Sequence, residues 1–101
     1  MDAVVRAELD DIGSMTVNWR DDYISLLRPG HDHLVKDFSG ELNRHIMPYL
    51  RRMISCGLVT TEEAADFWGE CVDRVLELRA EFEKLPGDEP QEEMRTTYGA
   101  E

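Results

Sequence analysis

Apolar side chains recur along this chain at intervals of three and four, the spacing that lines one face of a helix rather than alternating across a strand. The clearest stripe runs through Leu34, Phe38, Leu42, Ile46, Tyr49, Leu50, Met53 and Ile54. A second runs through Phe67, Cys71, Val75, Leu78, Phe82 and Leu85, and Trp68, Val72 and Leu76 widen it. Shorter stripes come earlier: Val5, Leu9 and Ile12, then Trp19, Tyr23, Leu26 and Leu27. The pattern predicts an all-α fold, a small bundle of four helices, or five if residues 32–55 divide.

Punctuating residues set the expected boundaries. Gly13-Ser14 interrupts the first stripe, so residues 2–12 and 18–28 read as separate helices. Asn18 suits the N-cap of the second, with Asp21 and Asp22 in its first turn. Arg28-Pro29-Gly30 ends that helix, because the residue before a proline disfavours the helical conformation. Within 32–55, Gly40 costs about 1 kcal/mol against alanine. Pro48 removes a hydrogen bond and crowds the preceding turn, at roughly 3 kcal/mol. Those two predict one kinked helix or two shorter ones. Gly57 fits the residue just past a helix end, with Leu58 folding back on the last turn. Thr60 or Thr61 caps the next helix, and Thr60 with Glu63 matches a capping box. That helix is expected from about Glu62 to Lys84, stopped by Pro86-Gly87. Residues 1–85 then form the bundle domain. Residues 86–101 have the composition of a disordered acidic tail.

Charge narrows the partners. The chain has 22 acidic and 11 basic residues, a formal net charge of −11, which repels nucleic acid and anionic membranes and leaves proteins as the expected partners. A domain of about this length buries only some 60–65 % of its unfolded surface. A homodimer would add burial. No stretch approaches the roughly 20 apolar residues that span a bilayer. Met1-Asp2-Ala3 lacks the basic start of a signal peptide, so a cytoplasmic location is expected. Cys56 and Cys71 are too few for a disulfide framework and read as small buried hydrophobes.

Three groups of residues invite a functional reading. His33, Asp37, Glu41 and His45 are spaced by four and form a ladder of metal-ligand types along one helix flank. Bundle carboxylate sites use Glu-x-x-His motifs from two helices, which this chain lacks. Surface pairs at i,i+4 explain the ladder more simply, and a metal-binding bundle is the alternative. Arg44, Arg51 and Arg52 put positive charge on one helix of an acidic protein. They form either a solvated face or a docking patch for an acidic surface, a second copy included. Arginine suits the latter because its planar fork makes bidentate contacts. Trp68, next to Phe67, is a candidate interface anchor at the rim of the core. No activating base accompanies a nucleophile, no cofactor motif occurs, and no enzymatic activity is expected. The reading is a non-catalytic protein-interaction module, either an adaptor or an acidic inhibitor of a basic partner.

Residues 34–63 also carry a family likeness. Ile46-Met47-Pro48-Tyr49-Leu50, followed by Gly57-Leu58-Val59-Thr60-Thr61-Glu62-Glu63, resembles a caspase recruitment domain, one of the death-fold interaction modules. Leu34-Val35-Lys36-Asp37-Phe38 is similar to the end of that family's first helix. The family packs six helices, whereas this chain has little periodic sequence after Leu85. The helix expected from Glu62 is also longer than the family's third. The resemblance implies a non-enzymatic adaptor that assembles homotypically through basic and acidic patches, with Arg44, Arg51 and Arg52 as the basic one.

Overall fold

The computed structural model describes residues 1–86, so all but the first residue of the expected tail, 86–101, lies outside the described residues. Three helices fill the described part, and no strand occurs among those residues. Helix α1 spans Ala3–Leu26, α2 spans His33–Ser55 and α3 spans Thr61–Glu83. Among the described residues the expected four or five helices are therefore three. Each discrepancy has a local cause.

Gly13-Ser14 does not break α1. The Thr16 hydroxyl, buried in the core, donates to the Gly13 carbonyl at 2.7 Å and so satisfies its own polarity within the helix. Gly13 also lies against Phe67 of α3, where an added Cβ would stand 3.7 Å from Cε1. Packing on α3 on both sides of the glycine outweighs its propensity cost of about 1 kcal/mol. Asn18 is thus mid-helix rather than a cap. The cap is Asp2, whose carboxylate accepts from the Val4 N–H at 2.8 Å.

Helix α2 runs unbroken through Gly40 and Pro48. Pro48 and Arg44 both lie on the exposed side of α2, so the hydrogen bond that the proline cannot make is lost away from the core. Before α2, Arg28-Pro29-Gly30-His31 makes a tight turn. His31 N–H donates to the Arg28 carbonyl at 3.0 Å, and Gly30 takes φ 84° at the position that demands it.

The α2–α3 turn follows the sequence closely. Gly57 sits at φ 73°. Its N–H donates to the Ile54 carbonyl, and the Leu58 N–H to that of Met53, both at 3.0 Å, the paired bonds of a Schellman ending. The side chain that returns to the core is nevertheless Val59, while Leu58 remains 44 % exposed. Thr60 then caps α3 in a complete capping box: Glu63 N–H donates to Thr60 Oγ1 at 3.0 Å and Thr60 N–H to Glu63 Oε1 at 2.9 Å.

Contacts between helices fix their directions. Tyr23 packs on Phe38 and Trp19 on His45, so α1 and α2 are antiparallel. Gly13 meets Phe67 and Arg20 meets Glu77, so α1 and α3 are parallel. The shared core centres on Phe38, Leu42, Leu78, Val35 and Cys71.

Candidate functional site

Helix α3 carries two apolar stripes; the bundle buries one and covers the other only in part, at the half-buried Trp68, which packs on the edge of the core. Ala64, Phe67, Cys71 and Leu78 are buried against α1 and α2. Ala65, Trp68, Val72 and Leu76 follow a second line of three- and four-residue steps. Val72 is 39 % exposed and Leu76 57 %. Alongside them, α2 presents Met47 and the partly exposed Ile54. Between the two helices, near the turn that joins them, lies a groove of about 240 Å³, floored by Leu50 and Ala64 and walled by Met47, Ile54, Ala65 and Trp68. Its lining is almost wholly apolar. Arg51 stands at its lip.

Two of the residues singled out from sequence thus meet at one place, Arg51 and Trp68. The arginine trio does not stay together. Arg52 is one residue on, about 100° around the helix, and does not line the groove. Arg44 lies two turns before Arg51 on the same side and donates to Glu41 Oε2 at 2.7 Å.

The His/carboxylate ladder resolves into pairs. Glu41 accepts from Arg44 and lies 3.2 Å from His45 Nε2. The His45 ring also meets Trp19 edge-on, with centroids 6.0 Å apart. The His31 and His33 rings meet at a tilt, with centroids 5.4 Å apart. Among the described residues, no group of three or more His, Cys, Asp or Glu side chains converges as a metal site would require.

The remaining polar groups have structural partners or surroundings. Cys71 is buried, and desolvation pushes its thiol up to about 11, away from the reactive thiolate. Cys56, expected to be buried, is exposed at the end of α2, because the chain leaves the core at that turn. The Tyr49 hydroxyl is buried beside Glu8 without a well-formed hydrogen bond. Burial first, then that carboxylate, push it up to about 12. Between α1 and α3 a second groove, about 310 Å³, is lined by Asp10, Glu70 and Arg74 as well as Leu9 and Phe67. Its walls mix polar and apolar groups, unlike the groove at Trp68.

The unpartnered stripe was visible in the sequence, but Trp68, Val72 and Leu76 read there as a widening of the core stripe. Which line of α3 faces the core depends on where α1 and α2 lie. No described helix is long and apolar enough to cross a membrane. No family model, no curated protein and no solved structure matches the chain.

Proposed function

We propose that this protein is a non-catalytic protein-binding module that docks its partner in the α2–α3 groove. The observation that carries the reading is an apolar surface left open between two well-formed helices: Ile54, Val72 and Leu76 are exposed and Trp68 is half-buried at the edge of the closed core. Contiguous exposed apolar surface rimmed by charge marks an interaction site in a water-soluble fold. Trp68 is the anchor such a site needs, since tryptophan and arginine concentrate binding energy at interface centres. Arg51 supplies direction and an acidic preference, and Arg44 extends that preference along the same lip. Arg52 is no longer part of the site. The likeness of residues 34–63 to an interaction family supports the same class of function.

Site-specific photocrosslinking tests this. A photoreactive residue at Ala65 should trap a protein adduct in the native host, and the same residue at Ser25, exposed on α1, should not. Equal adducts at both positions, or none at Ala65, would overturn the docking site.

A further inference from the structure

We infer that the occupant of this groove is a second copy of the same chain, related by a two-fold axis parallel to the helices. The inference rests on the docking reading above and specifies its partner. Three bands lie side by side on this face. The α2 lip carries Arg51, with Arg44 two turns earlier on the same side and paired there with Glu41. The middle is apolar, formed by Met47, Ile54, Trp68, Val72 and Leu76. On the far side of α3, about 60–100° around the helix from Ala65, stand the exposed acids Glu62, Asp66 and Asp73.

A face with a basic edge, an apolar centre and an acidic edge is self-complementary in only one orientation. Two copies meeting face to face are related by an axis lying in the interface. If that axis runs across the helices, basic edge meets basic edge. If it runs along them, each basic edge meets the acidic edge of the other copy. Like charges brought together cost several kcal/mol, and opposite ones fix the register.

The heights agree with the second arrangement. Arg51 lines the groove together with Ala64 and Ala65, so it lies level with that part of α3. An axis along the helices preserves height, which brings Arg51 level with Glu62 and Asp66 of the second copy. Arg44 is seven residues earlier on an antiparallel helix, about 10 Å along. It comes level with Asp73 of the second copy. Around the axis the order becomes α2, α3, α2, α3, and every adjacent pair is antiparallel, as in an up-down four-helix bundle. Trp68, Val72 and Leu76 of both copies fill its centre.

Sedimentation equilibrium on the full chain, with helicity checked by circular dichroism, tests the arrangement. The wild type should sediment at twice the 11.7 kDa chain mass. Because each contact occurs twice in an isologous interface, Arg51→Glu and Asp66→Arg should each weaken dimerisation at least about tenfold. The double variant Arg51→Glu/Asp66→Arg should recover most of the loss. A wild type that stays monomeric at about 200 µM, well above the micromolar range of a modest interface, overturns the inference. So does a dimer whose charge swap gives no rescue. An adduct at Ala65 to a different protein, with a monomeric wild type, would sink the self-docking and leave the docking site standing; no adduct at all would remove both.

Discussion

Two guanidinium groups converge on Glu77 from different helices. Arg74, one turn earlier on α3, donates to both carboxylate oxygens at 2.7 and 2.9 Å, and Arg20 reaches across from α1. The hydrogen bonds from Arg74 are the main cause that holds the Glu77 carboxyl below its ordinary value; desolvation opposes them and Arg20 adds to them. A carboxyl depressed in the folded state contributes stability that is present above its unfolded pKa and lost as pH falls through the folded one. Glu63, held low chiefly by the Thr60 backbone N–H, acts in the same direction. Thermal melts taken from pH 7 down to pH 3 should therefore show stability falling below the ordinary carboxyl pKa of 4.5. Glu77→Gln should flatten part of that fall and cost only about 0.5 kcal/mol at neutral pH, because the pair is partly exposed. An unchanged acid limb in the variant would remove Glu77 from the account. None of this geometry is legible in sequence beyond the Arg74–Glu77 spacing, since Arg20 is 57 residues away.

Helix α1 shows where local rules yield to packing. Gly13 and Ser14 are poor helix residues, yet the helix passes through them because Leu9 and Thr16, on either side, are both buried. Helices within a folded protein gain most of their stability from such packing rather than from propensity. Gly13 remains a weak link, and an alanine Cβ there would meet only an ordinary contact with Phe67. Gly13→Ala should raise the unfolding free energy by about 0.5–1 kcal/mol in urea titration. A loss instead would mean that α1 needs a closer approach to α3 than the backbone shows. The α2–α3 connection is the opposite case. Gly57, Thr60 and Glu63 act on their immediate neighbours only, so the sequence specified the turn and the cap. It failed there only at Leu58 and Val59, whose roles depend on where the core lies.

The molecule as a whole divides its apolar residues between a closed core and an open face. Phe38 is fully buried, whereas Leu76 belongs to the open stripe of α3. Domains of this size hold only about 0.05–0.15 kcal/mol of stability per residue. Phe38→Ala should cost about 3–5 kcal/mol and leave much of the protein unfolded. Leu76→Ala should change the stability of the monomer by less than about 0.5 kcal/mol. Urea titrations at concentrations low enough to keep the chain monomeric compare the two; similar losses would place Leu76 in the core. The sequence by itself determined the helical class, the stripe of α2, the turn at Gly57 and the capped start of α3, because periodicity and capping are local. Only the tertiary structure decided that residues 1–86 form three helices rather than four or five. Whether Gly13 breaks a helix depends on Phe67, which lies on another one. The same holds for the site. Two apolar stripes on α3 are equivalent in sequence, and the positions of α1 and α2 bury one and leave Val72 and Leu76 of the other open, with Trp68 half-buried beside Arg51.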